Sequence, residues 1–360
     1  MTSRERILRT VRGEETDRIP IWFERTYNPS PGAAGRAEAH FSSAWKNEDV
    51  NYRKFIDYAR KSGCEILQNV ALEGFDRRFL LIPKHNIERK QRLPDSQTMV
   101  NTYTVSTPRG PLNYEEMFRK NISTMWLPRP LVQTAADAEK LLSVPYEFQP
   151  FNMDHYLALK DYVGENGVVG AWVSTPLVCV SHLLDFTNFL TWCIEERKLI
   201  DRLLETVFER IYLSLEYILK NGVGPIIRFG GSEQATAPMM SPAMFEDFVV
   251  KYDEPLMRLV HEHGSYVHVH CHGKLRGLLG KMAKMGVDMT DPVEGPPSGD
   301  ITLEEARRQA GPRMTLIGNI QYSDLEFLDP DEMFRSARAA IEQGAGEDSS
   351  CRRAIFRSLP

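Results

Sequence analysis

No apolar run in this 360-residue chain approaches the ~18 residues needed to cross a bilayer. The opening MTSRERILRTVRGEE is charged throughout and carries no hydrophobic core of a signal peptide. Cysteine is sparse: Cys64, Cys179, Cys193, Cys271 and Cys351 are scattered, odd in number and form no CxxC, which argues against a disulfide scaffold and fits a reducing cytoplasm. The formal net charge of −5 offers no attraction to nucleic acid or to an anionic membrane. No low-complexity tract or short repeat occurs. No GxGxxG follows the first strand-like run, which removes the main support for a dinucleotide-binding open sheet.

What is present is an ordinary globular composition, 42% hydrophobic and 26% charged, able to bury a large core. Thr2 and Glu5 have capping-box spacing for a first helix through about Thr10. Strand-like runs follow at 18–23, 64–70, 167–174, 224–231, 266–273, 286–294, 314–321 and 353–359. Helical stretches separate most of them, at 48–62, 181–220, 241–264, 274–285, 302–309 and 330–343. Residues 84–127 break the rhythm with short β-like runs and turns. The pattern predicts an α/β chain: one (β/α)8 TIM barrel spanning 1–360, with an N-terminal helical extension and an inserted β-meander.

Histidine is concentrated where it is least expected. YVHVHCHGK (266–274) puts His268, His270 and His272 at alternate positions of one strand, with Gly273 next. With period two the three share a face, and the last two stand at the mouth, where barrel enzymes gather their functional groups. Two imidazoles spaced this way can grip one ion. The following strand ends in Asp291 and Glu294, and Glu294 is the preferred further ligand; the preceding one delivers Arg228 and Glu233. His270, His272 and Glu294 are therefore the expected zinc ligands. Glu233 and Glu294 are the expected catalytic carboxylates, although Glu233 could equally cap a helix or form a rim ion pair. His261 and His263, near a helix end, receive no role.

The order and spacing of RERILRTVRGEETDRIPIWF, TPRGPLNY, SPAMFEDFVVKYDEPLMRLVHEHG, VHCHGK, MGVDMTDPVEGPPSGD and LIGNIQ resemble the uroporphyrinogen decarboxylase superfamily nearly end to end. Its barrels include decarboxylases and zinc methyltransferases that serve corrinoid proteins and coenzyme M. The decarboxylases carry an arginine-rich stretch after the first strand and an aspartate at the end of the second. Here those places read FERTYNPS, with Glu24 and Arg25, and LQNVALEG, with Asn69. The methyltransferases have His-x-Cys-Gly on the histidine strand. Aligning the glycine on Gly273 puts His270 on the family histidine and His272 where its first cysteine would be, and the family's second cysteine has no counterpart before Pro360.

The resemblance implies a zinc-dependent methyltransferase moving a methyl group between a small, methoxylated substrate and a corrinoid carried by a partner protein. Imidazole and carboxylate in place of thiolates make a harder site that favours an oxygen-centred substrate. Glu24, Arg25, Asn69, Arg228 and Asn319 are the expected substrate-binding residues. Cytoplasmic location and no nucleic-acid or membrane partner are expected, and a homodimer is compatible with the reading. Uroporphyrinogen decarboxylation is the alternative, followed by a metal-dependent hydrolase with Glu233 as base and by a non-enzymatic corrinoid or porphyrin carrier.

Overall fold

A computed structural model describes residues 1–23, 57–58, 61–71, 80–120, 125–150, 152–318, 320–345 and 354–358. Helix α1 (Ser3–Arg12) begins where expected: the Thr2 hydroxyl accepts the Glu5 N–H at 3.1 Å, and Gly13 ends the helix in the left-handed conformation. Eight strands then form one parallel sheet. They are β1 (Ile21–Phe23), β2 (Ile66–Ala71), β7 (Gly167–Ser174), β8 (Ile226–Gly230), β9 (Tyr266–His270), β10 (Met289–Asp291), β11 (Thr315–Ile317) and β12 (Ala354–Ser358). Their spatial order is β1-β12-β11-β10-β9-β8-β7-β2. The sheet curls so that its two ends meet: Trp22 and Glu65 form a parallel bridge, and the Glu65 N–H donates to the Ile21 carbonyl at 2.8 Å.

Glu65 explains why the ends stay together. Its fully buried carboxylate accepts from Arg6 (2.6 Å), Arg18 (2.7 Å) and the Ile21 N–H (2.6 Å), joining α1, the approach to β1 and the approach to β2. Three donors, two of them cationic side chains, offset the desolvation cost of burying this carboxylate. Around this seam Trp22, Leu67, Val168, Ile226, Met289 and Ile317, each from a different strand, pack together with Ile7 and Val11 of α1. One inward residue per strand forming a layer is the packing expected of a curled parallel sheet. A larger apolar core lies mainly between the strands and their helices.

The insertion is a four-stranded antiparallel sheet in sequential order: β3 (Ile87–Asp95), β4 (Thr98–Val105), β5 (Leu112–Arg119) and β6 (Met125–Arg129). It extends two residues past the predicted end at 127. Tyr103, Val105, Leu112 and Tyr114 bury one face against the main core, which accounts for the alternation in β5.

Several predicted helices differ in detail. After α2 (Ala135–Leu142) and α3 (Asp154–Val163), the stretch 181–220 is broken: α4 (Pro176–Ser181) is followed by α5 (Phe186–Glu195), capped by Asp185, and α6 (Arg197–Lys220), with the break at Glu196. The predicted helix 274–285 forms only as Leu279–Met285, because Gly273 (φ 96°) and Gly277 (φ 82°) hold conformations no helix contains. The stretch 241–264 is helical from Pro242 to Glu262, but Glu246–Val250 form a π-turn just ahead of Pro255. Most of 48–62 lies outside the described residues. Among the described residues no helix is long and apolar enough to cross a membrane.

Candidate functional site

Strand register decides which of the polar residues meet. Arg228 on β8 pairs with His268 on β9, and His270 pairs with Asp291 on β10, so one side-chain layer crosses three strands. Asp291 is its centre. Its fully buried carboxylate accepts from Arg228 Nη2 at 2.8 Å (Oδ2) and 3.1 Å (Oδ1), lies 3.0 Å from His270 Nδ1, and contacts His268 Nε2 in a short hydrogen bond. Arg228 Nη2 also reaches His270 Nδ1 at 2.8 Å.

Tryptophans sandwich the guanidinium: its carbon lies 4.8 Å from the Trp172 ring centre and 5.8 Å from that of Trp22. Gly230 makes room for this, since a Cβ there would stand 3.0 Å from the Trp172 ring. His268 packs edge-on against Trp22.

The electrostatics follow from burial. Although burial alone would push Asp291 up, Arg228, His270 and His268 hold it well below the ordinary carboxylate range. Burial, helped by Arg228 and His270, pushes His268 down to about 4, so this ring is neutral at pH 7. Its Nε2–H then donates to Asp291, and its Nδ1 is a bare acceptor with no hydrogen-bond partner among the described residues. The layer is a buried ion pair with imidazoles on its flanks.

Outside it stands a second pair. His272 lies past the end of β9, its side chain 46% exposed, and its Nδ1 is 3.1 Å from Glu294 Oε2. Glu294 also accepts the Gly273 N–H at 3.4 Å, across the left-handed turn that Gly273 makes. The bond to Glu294 raises the His272 pKa, and the same bond lowers that of Glu294. The His270 and His272 rings meet edge to face, 4.6 Å apart.

The expected metal ligands are thus brought together incompletely. The 3.1 Å between His272 Nδ1 and Glu294 Oε2 is near the ~3.3 Å between neighbouring ligands of a tetrahedral zinc with ~2.0–2.1 Å bonds. His270, however, turns Nδ1 toward Asp291 and Arg228, which leaves only its Nε2 for an ion. Among the described residues no group of three or more His, Cys, Asp or Glu side chains is gathered to hold a metal. The fit is to two ligands with a third beside them.

Arg228 is placed in the site, but its guanidinium is engaged by Asp291 rather than aimed at a substrate. Glu233 sits in the turn after β8, half-buried, with its carbonyl accepting from the Thr236 N–H and hydroxyl. Asn69 is buried on β2 opposite Gly170, and its side-chain amide has no hydrogen-bond partner among the described residues. Glu24, Arg25 and Asn319 lie outside the described residues. Nothing in the sequence marks Trp172 or Trp22 for a role, and Asp291 stands out there only as the end of a strand. The available signal was that Asp291 sits at the same strand end as the HxH pair.

A parallel α/β barrel-like sheet with coupled histidines at the C-terminal end of one strand defines an enzyme scaffold. A family model described as uroporphyrinogen decarboxylase (URO-D) matches residues 120–351, and the chain belongs to that family. Uroporphyrinogen decarboxylase 2, chloroplastic, of Arabidopsis thaliana is 23% identical over 345 residues, covering 93% of this chain and 75% of that one. The Nicotiana tabacum chloroplastic uroporphyrinogen decarboxylase is 22% identical over 342 residues, covering 92% and 74%. Among solved structures, a methyltransferase from Methanosarcina mazei superposes with a TM-score of 0.60 at 16% identity, covering 99% of this chain and 92% of that one. That likeness is one of fold.

Proposed function

We propose that the chain is one complete (β/α)8 TIM-barrel enzyme that transfers a methyl group between a small methoxylated substrate and a corrinoid carried by a partner protein. The observation that carries this reading is the charge matching of the described site. Arg228 is matched by Asp291 and His272 by Glu294. A substrate bearing many carboxylates needs several fixed cations to hold it, whereas a charge-balanced mouth suits a small, nearly neutral ligand. The methanogen methyltransferase neighbour supports the choice of fold for such chemistry.

In this reading the buried layer is a foundation. Asp291 and Arg228 fix the His270 ring from behind, and the tryptophans exclude water from the ion pair. Glu294 positions His272 at the mouth and raises its affinity for a proton. Zinc, if bound by His270, His272 and Glu294, would supply Lewis acidity at the substrate's ether oxygen. In the overall transfer the C–O bond breaks, the methyl carbon bonds to cobalt(I), which supplies the electron pair, and the departing oxygen takes a proton. The buried, unpartnered amide of Asn69 is the candidate polar contact to that substrate.

Uroporphyrinogen decarboxylation is the second reading, favoured by the two plant relatives. One experiment separates them. The purified protein is incubated with cob(I)alamin and a methoxylated aromatic compound, and separately with uroporphyrinogen. Methylcobalamin should form in the first, seen by its absorbance, and no coproporphyrinogen in the second. Coproporphyrinogen production at an ordinary enzymatic rate would overturn the proposal.

A further inference from the structure

A solvent-open cleft lies on the flank of α6 and shares no residue with the histidine site. Its lining combines Arg210 of α6 with the segments around Ile82 and Phe148. Arg210 is unusual. The residue is only 6% exposed, its Nη1 is sealed from solvent with no hydrogen-bond partner, and the guanidinium makes no ion pair among the described residues. It lies over the Tyr146 ring, 4.6 Å from centroid to Cζ. The nearby Ser214 hydroxyl donates to the Arg210 backbone carbonyl at 2.7 Å and does not partner Nη1.

Burying a cation without a counter-charge is costly, and proteins ordinarily match such a group or leave it in water. A guanidinium held by a tyrosine face, lining a cleft and with an unpartnered Nη1, has the form of an unfilled anion receptor. Lys84 stands at the exposed rim and adds a second positive charge. Glu147, also at the rim, faces His85 at 3.9 Å. The walls contributed by Ile82, Pro83, Phe148 and Pro150 are apolar. A planar fork at the base of apolar walls suits a carboxylate on a hydrophobic body better than a phosphate, whose second charge would be left uncompensated beside them.

We infer that this cleft is a second binding site, for a small organic carboxylate with an apolar or aromatic body, held by Arg210 and Tyr146. The inference does not depend on which reaction the histidine site performs.

Isothermal titration calorimetry with benzoate, benzamide and inorganic phosphate tests it on the full chain. Wild type should bind benzoate saturably and benzamide far more weakly, and phosphate should not displace benzoate at equal concentration. Arg210→Met should weaken benzoate binding by at least about tenfold, the loss of one charge-assisted contact. It should also leave thermal stability equal or higher, because the unpaired cation is gone; a merely structural arginine would lower it. Lys84→Glu, an exposed change, should weaken binding several-fold, and it decides the matter should Arg210→Met fail to fold. Absent benzoate binding, equal benzamide binding, displacement by phosphate, or indifference to the Arg210 and Lys84 changes would each overturn the inference.

Discussion

His268 and His272 stand on one short stretch of chain, four residues apart, each touching a carboxylate from the next strand segment, and they behave in opposite ways. His268 is sealed beside a carboxylate already matched by Arg228, so burial dominates and the ring is held neutral, with a pKa near 4. His272 is nearly half exposed and has Glu294 within hydrogen-bonding reach, so the carboxylate dominates and the ring gains a proton more readily. Two pleats of depth convert the same residue type from a packing element into a chargeable one. The deep layer is therefore expected to carry stability, and the mouth pair to carry chemistry.

The sharpest way to break this division is at Asp291. Asp291→Ala removes the carboxylate that faces the buried Arg228 and should cost about 3–5 kcal/mol, measured by urea unfolding. The double change Arg228→Met with Asp291→Leu should recover most of that loss, since a buried pair replaced by packed apolar groups is often neutral. A cost below ~1 kcal/mol for Asp291→Ala would show that the layer is not structural.

Removal of the mouth histidine should act the other way. His272→Ala should change stability by less than about 1 kcal/mol, the range of a partly exposed pair. It should nevertheless lower the zinc content of the purified protein and abolish methyl transfer. Because a ligating imidazole must give up its proton, zinc uptake by wild type should strengthen as pH rises through the raised His272 value. Full zinc occupancy in a His270→Ala, His272→Ala double variant would defeat the metal assignment, whatever its activity.

The smallest effects concern pH, and they distinguish the two histidines by sign. The unfolded chain protonates His268 near ~6.5 while the folded one resists until about 4, so acidification across that window lowers stability. For His272 the folded value is raised. Its contribution is present below ~6.5 and lost as pH climbs through the folded value, while that of Glu294 is present above ~4.3 and lost as pH falls through its depressed one. The deficit of His272→Ala relative to wild type, a few tenths of a kcal/mol after solvent screening, should peak between about pH 4.5 and 6.5. A deficit that grows steadily toward pH 9 would contradict the pairing.

Much of this was legible in the residues. The apolar runs and helical spacings placed all eight parallel strands, GVVGAWVS at its observed limits 167–174, because a strand buried on both faces leaves an unbroken apolar signature. The alternation of YVHVHCHGK set His268 and His270 on one face, since side-chain direction in a strand depends on the parity of position alone. Local spacing could not show that Arg228 would be spent on Asp291, that Asp291 rather than Glu294 would engage His270, or that two tryptophans would enclose the ion pair. Those depend on which residues stand side by side across β8, β9 and β10, and register between strands dozens of residues apart is set by tertiary packing. Burial then set the electrostatics: the sequence supplied His268 and His272 with their carboxylates, and only the depth of each ring below the mouth decided that one pKa is pushed down and the other raised.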